Sequence, residues 1–234
     1  MPEHSPRVVV FPSKFISGWN GGDTTDVATF PVVNVRTALE QQWDTDAHFV
    51  PYYIEGEAQI PRLNQKAQGD LDEQGAKILF DLIILDIDCP EAHESSEPAP
   101  RSWRRGQMLA LRRLPWWSHA GFYETRGGYR LLWKLPQPLE PQQYLRHLAG
   151  FVQELRSHGI QADELTDWNR IYRLPLVVRD GKRLEAEVHL ENLGELAWEP
   201  SEGEQTTTSG AFSGIEKTKA PLVVPETISV HKRN

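Results

Sequence analysis

Residues 79–85, Leu-Phe-Asp-Leu-Ile-Ile-Leu, form an apolar run that leads directly into Asp86-Ile87-Asp88. Such a run reads as a strand buried in a sheet, and the two-residue period of a strand puts side chains i and i+2 on one face. Two carboxylates therefore project together from the end of a buried strand. Like charges buried side by side repel, and a divalent cation is a common way to relieve them. Paired oxygen ligands suit hard Mg²⁺ or Mn²⁺, which keep waters and substrate phosphates as their other ligands. Asp is equally common where a chain simply turns, so an exposed strand end accounts for the pair as well.

Two further segments narrow the choice. Residues 121–125 and 129–135 read as short strands on either side of Gly127-Gly128, a hairpin signal. Glycine backbone can approach a phosphate closely, and Arg126 and Arg130 stand beside it. An ordinary turn explains the segment too. Then comes Ala-Asp-Glu-Leu-Thr-Asp-Trp-Asn-Arg-Ile-Tyr-Arg-Leu-Pro over residues 162–175, followed by Lys182. Acids followed by spaced arginines suit a site that holds both a metal and a polyphosphate, although such charges usually form a solvated face. Arg170 and Arg173 share a face in a helical turn and diverge in an extended chain.

Read in order, the three segments resemble the archaeo-eukaryotic primase superfamily, particularly the primase-polymerase branch of plasmids, phages and mobile elements. The resemblance covers residues 79–182 and rests on the order of short motifs. Asp86 and Asp88 match the family's acid-x-acid pair. Thr125-Arg126-Gly127-Gly128-Tyr129-Arg130 stands where the family has a small-residue turn leading to a histidine. Asp163 or Asp167, with Arg170 to Pro175 close behind, matches the third acid and its Arg-x-x-Arg-Leu-Pro stretch. Asp163 closes the apolar-to-polar step after Gly159-Ile160, while Asp167 is placed to pair with Arg170 or Arg173.

The resemblance implies two-metal nucleotidyl transfer, with Asp86, Asp88 and Asp163 holding Mg²⁺ or Mn²⁺ ions about 3.5–4 Å apart. It implies a triphosphate held by Arg130, Arg170, Arg173 and Lys182, with Thr125, Arg126, Gly127 and Gly128 contributing from the turn. The partners are then nucleoside triphosphates, a single-stranded DNA template, and a helicase or other replication protein. The chain departs from the family at Arg130, where His is usual. Arginine keeps a bidentate phosphate donor but does not titrate near neutrality. Two alternatives remain open: a non-catalytic replication-initiation or DNA-binding module, and a metal-dependent nuclease, since acids so placed also serve phosphodiester hydrolysis.

Charge is unevenly distributed. The chain carries net −8, yet residues 101–183 hold 15 basic and 7 acidic residues, net +8, against 10 basic and 26 acidic elsewhere, net −16. A local basic surface beside an acidic site is what template and nucleotide binding require. Arg101, Arg104, Arg105, Arg112 and Arg113 fall on one predicted helix, over residues 102–114, where some form its wet face. Trp116, Trp117, Phe122 and Tyr123 suit core packing better than base stacking.

Strands and helices alternate irregularly and hairpins recur, so the fold class is α+β. The resemblance adds a mixed sheet with an RNA-recognition-like core flanked by helices. Further strands are expected at 8–11, 49–54 and 184–190, and helices at 35–43 and 141–158. Residues 18–25 and 90–100 read as loops, and 64–75 as a helix or a flexible loop. The catalytic domain is expected to span residues 1–198, with 199–234 a linker or tail in which 220–230 regains apolar character. One cysteine, Cys89, excludes an internal disulfide. That fits a cytoplasmic protein, as does the lack of an apolar run long enough for a membrane span. Cys89 and His93 are metal-ligand types near Asp88, but a small buried thiol is the simpler reading.

Overall fold

The computed structural model describes residues 5–19, 27–94 and 97–200. The tail expected beyond residue 199 lies almost entirely outside them, as do most of the loop at 18–25 and the side chain of His93. Among the described residues no helix is long and apolar enough to cross a membrane.

The chain is α+β. Its strands are β1 (Arg7–Phe11), β2 (Thr29–Asn34), β3 (His48–Val50), β4 (Tyr52–Ile54), β5 (Gln59–Pro61), β6 (Ile78–Asp88), β7 (Gly121–Glu124), β8 (Gly128–Leu139), β9 (Tyr172–Arg173), β10 (Val178–Arg179), β11 (Lys182–Arg183) and β12 (Val188–His189). The helices are α1 (Val35–Glu40), α2 (Ala67–Glu73), α3 (Pro90–Glu94), α4 (Arg101–Leu111) and α5 (Pro141–Ser157), with a 3₁₀ turn at Pro115–His119. One five-stranded sheet runs β5-β2-β1-β3-β9 and a second runs β12-β7-β8-β6-β4, while β10 and β11 form a separate hairpin. Every pairing between these strands is antiparallel, so the sheets are not mixed. Short connections such as the one joining β7 to β8 can only link antiparallel neighbours.

The expected strand at 49–54 is two strands in two sheets. Val50 and Tyr52 belong to different sheets, with Pro51 between them. Proline offers no N–H to a ladder, so it suits the point where the chain leaves one sheet for the other. The alternating segment 184–190 pairs only at Val188 and His189, against Tyr123 and Phe122.

The long central strand β6 has two buried faces. Ile83, Leu85 and Ile87 lie with Leu131 and Trp133 in the core that also takes the apolar stripe of α5, Tyr144, Leu148, Phe151, Val152 and Leu155. Tyr144 stacks on Phe80 with ring centroids 4.0 Å apart. Helix α5 starts at Pro141 behind a capping box of Glu140 and Gln143, the pattern its sequence shows. On the opposite face Leu82 and Ile84 pack with Leu132, Val8, Val10, Phe49, Tyr172 and the buried side of α1. Asp86 and Asp88 continue this second face, so the acids emerge where the core beside the first sheet ends.

Candidate metal and nucleotide site

The ladder between β6 and β8 aligns Asp86 with Arg130 and Asp88 with Gly128, and that between β7 and β8 aligns Arg130 with Tyr123. Tyr123, Arg130 and Asp86 are thus neighbours across three strands. The third acid arrives on a loop. Ala162 bridges to Ile87, and the Asp163 N–H donates to the Asp86 carbonyl at 2.9 Å. Arg156 adds a bond from Nε to the Ala162 carbonyl at 3.0 Å. Asp86, Asp88 and Asp163 consequently offer carboxylate oxygens within 4.8 Å of one another. Asp167 is not a member of this group.

Asp86 is only 4% exposed and is compensated by two guanidiniums. Arg130 Nε lies 2.6 Å from Asp86 Oδ1. Arg170 Nη2 stands 3.6 Å from Asp86 Oδ2 and 3.3 Å from Asp163 Oδ2, between the two carboxylates. The two arginines differ in freedom. Arg130 also donates from Nη1 to the Tyr123 hydroxyl and the Arg173 carbonyl, each at 3.0 Å, and its guanidinium lies against the Tyr123 and Tyr172 rings. Burial works against its charge, but the adjoining Asp86 carboxylate outweighs that and holds the guanidinium protonated above its ordinary range. Burial also pushes the Tyr123 hydroxyl up to about 12, against the opposing pull of Arg130. Tyr123 is therefore a neutral buried partner of Arg130, and its ring is not open to a base. Arg170 is a third exposed and among the described residues meets the carboxylates of Asp86 and Asp163.

The glycine pair has a steric reason beyond turning the chain. Neither glycine has positive φ, and Gly128 already belongs to β8. A Cβ on Gly127 would stand 2.5 Å from Asp88 Oδ1, and one on Gly128 would collide with the Ile87 carbonyl oxygen. Both positions are bare so that the hairpin tip can lie against the acid strand. The Gly128 N–H donates to Thr125 Oγ1 at 3.0 Å, so this donor is already engaged within the turn. The Gly127 carbonyl accepts from the Cys89 N–H at 2.8 Å.

Arg104 is one of five arginines on the predicted helix, of which some form its wet face. Its guanidinium instead turns under the hairpin tip, donating to the carbonyls of Thr125, Arg126 and Gly128, and lies 3.5 Å from Glu124. Nothing in a helical charge pattern announces such a contact with a loop more than twenty residues away. Cys89 is buried and its thiol donates to Glu91 Oε2 at 2.9 Å, a local bond.

A cavity of about 600 Å³ opens beside Arg130, lined by Thr125, Arg126, Arg173 and Arg179 together with apolar Leu174, Pro175 and Leu184, and with Glu124, Glu185 and Glu187 on its wall. It gathers four of the residues expected at a triphosphate. Arg130 Nη2 has no protein partner among the described residues. Arg173 on β9 pairs with His48 of β3 and forms a fork with Asp46, Nε to Oδ1 at 2.6 Å and Nη2 to Oδ2 at 3.2 Å. Arg170 and Arg173 diverge, as an extended chain dictates. Lys182 does not join them: it is exposed on β11, beyond a Asp180-Gly181 turn with positive φ at both residues. A second, more open cavity of about 510 Å³ is lined by Asp88, Asp163, Arg156 and Gln161.

No family model, curated protein or solved structure matches the chain. The chemistry of the site thus rests on its own geometry. Three convergent carboxylates fit a hard divalent cation, and the arginine-lined cavity fits a phosphate-bearing ligand.

Proposed function

We propose that the chain is a metal-dependent nucleotidyltransferase of the primase-polymerase type, acting on nucleoside triphosphates with single-stranded DNA as template. The observation that carries this reading is the position of Arg130, which binds an acid of the cluster through Nε and lines the arginine cavity with the same guanidinium.

Asp86, Asp88 and Asp163 are the ligands for Mg²⁺ or Mn²⁺, which when bound supplies activation of the attacking hydroxyl and charge neutralisation at the leaving pyrophosphate. The remaining work belongs to side chains. Phosphoryl transfer asks chiefly for positioning and charge stabilisation. Arg130 Nη2, Arg126 and Arg173 present guanidiniums to phosphate oxygens, with Arg130 fixed by Asp86, Tyr123 and the Arg173 carbonyl. Arg104 keeps the Thr125–Gly128 tip against the acid strand, so the metal side and the phosphate side hold one spacing.

The test is incorporation of labelled nucleotides on single-stranded DNA with Mn²⁺ or Mg²⁺, with and without a primer. We expect synthesis that requires metal and disappears in D86A/D88A; synthesis that survives this double change overturns the assignment. Degradation of DNA without any triphosphate requirement identifies a nuclease instead. A second reading draws on Arg130 and Arg170, which already compensate the acids: a degenerate, non-catalytic DNA-binding module. DNA binding without synthesis in the wild-type chain selects it.

A further inference from the structure

Helix α4 carries arginines that the fold does not use. Over residues 101–113 there are five arginines and no acid. Arg104 is turned inward under the hairpin tip, as described. Arg101, Arg105, Arg112 and Arg113 are exposed and form no ion pair among the described residues. That is unusual for a chain with net −8, in which Arg7, Arg130, Arg170, Arg173 and Arg183 all meet a carboxylate within 4.0 Å. Unpaired like charges one turn apart repel and weaken the helix that bears them. Exposed and without a carboxylate in the described fold, they are available to an anionic partner.

The arrangement of the arginines limits what that counter-charge is. Arg101, Arg105 and Arg112 fall within about 40° of one another around the helix axis and span about 16 Å along it. They line one wall of an open groove of about 700 Å³, with Arg104, Met108 and Tyr129. Gly106 leaves the exposed side of the helix bare, since a Cβ there would meet nothing within 4 Å. A row of guanidiniums along a concave track matches a chain of regularly spaced anions. It does not match a membrane surface, which needs a broad apolar face outward. The buried side of α4 (Gln107, Leu111) faces the fold, and Leu109 is the one large apolar side chain of the helix left exposed.

We propose that the α4 groove binds the phosphate backbone of single-stranded nucleic acid. Glu124 lines both this groove and the arginine cavity beside Arg130, so a strand lying along α4 leads past the Thr125–Gly128 tip toward that cavity. The proposal rests on the nucleotidyltransferase reading only in calling that strand the template. The contact itself requires no chemistry at Asp86.

The test is fluorescence anisotropy of a labelled single-stranded oligonucleotide of mixed sequence, titrated with the full chain over a range of salt concentrations. The variant is R101Q/R105Q/R112Q, in which only exposed, unpaired side chains change, and circular dichroism verifies its fold. We expect at least a tenfold loss of affinity at moderate salt. The slope of log K against log salt should also become shallower by about 2, from roughly 0.7 per lost phosphate contact. Unchanged affinity and slope overturn the proposal. So does equal competition by heparin and by single-stranded DNA matched in charge, which would reveal a general polyanion surface. D86A/D88A separates the two readings. If it keeps wild-type DNA affinity while losing synthesis, both stand. If it loses synthesis while the arginine variant binds DNA normally, the groove assignment alone fails. If it synthesises normally while the arginine variant loses DNA, only the catalytic reading fails.

Discussion

Arg130 Nε and Asp86 Oδ1 lie 2.6 Å apart, in a pair whose side chains are 12% and 5% exposed. One oxygen of a buried acid is thus already committed to a cation that does not dissociate. Arg170 shares the other oxygen but is looser, with a third of its side chain in solvent.

Breaking that pair from the arginine side leaves a buried charge in search of a partner. R130M should cost about 3–5 kcal/mol, the usual penalty for stranding one member of a buried ion pair. R130M/D86N should recover part of the loss, because it removes the stranded charge as well. Urea unfolding of the single and double variants measures both values; a double variant as unstable as the sum of the singles means the pair is not coupled. Under the proposed function, R130H, which introduces the residue usual in the family the motifs resemble, should keep or raise nucleotide incorporation. Complete loss in a folded R130H protein would show that the arginine fork, and not only a positive donor, is needed.

A cation entering the acid cluster has to share or displace the Arg170 guanidinium between Asp86 and Asp163. R170A should therefore bind Mn²⁺ more tightly, by about tenfold for each 1.4 kcal/mol of relieved competition, while D163N should bind it more weakly. Titration calorimetry reads this without any turnover. Equal Mn²⁺ affinity in wild type and R170A would mean that Arg170 does not occupy the cation's place. R170A could still lose synthesis, which would show that the arginine is reused for phosphate once the cation is bound.

The acid pair could be read from the sequence because it depends on one strand: burial of residues 79–85 and a period of two suffice to set Asp86 and Asp88 on one face. The third acid could not be singled out, since its place is fixed by the bridge from Ala162 to Ile87, which joins residues 75 positions apart. Helix α5 was legible for the same local reasons as the acid pair, its apolar stripe and its proline start. The glycine pair was visible as a hairpin signal, but its further steric reason was not, because the collision it avoids is with the neighbouring strand. Arg104 and Arg105 look alike in the sequence. Only the packing of α4 against the hairpin sends one inward and leaves the other exposed.

The two glycines should separate stability from function. G128A drives a methyl group into the Ile87 carbonyl, with Trp103 Cη2 3.0 Å away on another side, so backbone has to yield. Overpacking of this kind costs about 1–3 kcal/mol. G127A meets only the end of the Asp88 side chain, which can rotate aside at small cost to folding. The expected result is a G127A protein with near-wild-type thermal stability and weakened Mn²⁺ binding, beside a G128A protein that melts earlier. The opposite order would mean that the tip does not lie against β6 as described.

Stability should decline on mild acidification, and buried His48 with half-buried His147 gives the sign. Burial holds both His48 and His147 below the ordinary histidine value. The unfolded chain therefore takes up protons from about pH 6.5 downward while the folded chain does not. The unfolded state binds more protons in that window, so stability rises with pH and is lost as pH falls below about 6.5, until the folded values are passed. Asp46 acts lower down. Burial pushes its carboxyl up, but the Arg173 fork outweighs this and holds it below the ordinary carboxylate value, so its contribution persists until pH falls through that lowered value. Urea midpoints measured between about pH 7.5 and about pH 5.5 should fall for the wild type and flatten in H48Q/H147Q. A profile equally steep in the double variant would assign the pH dependence to other groups.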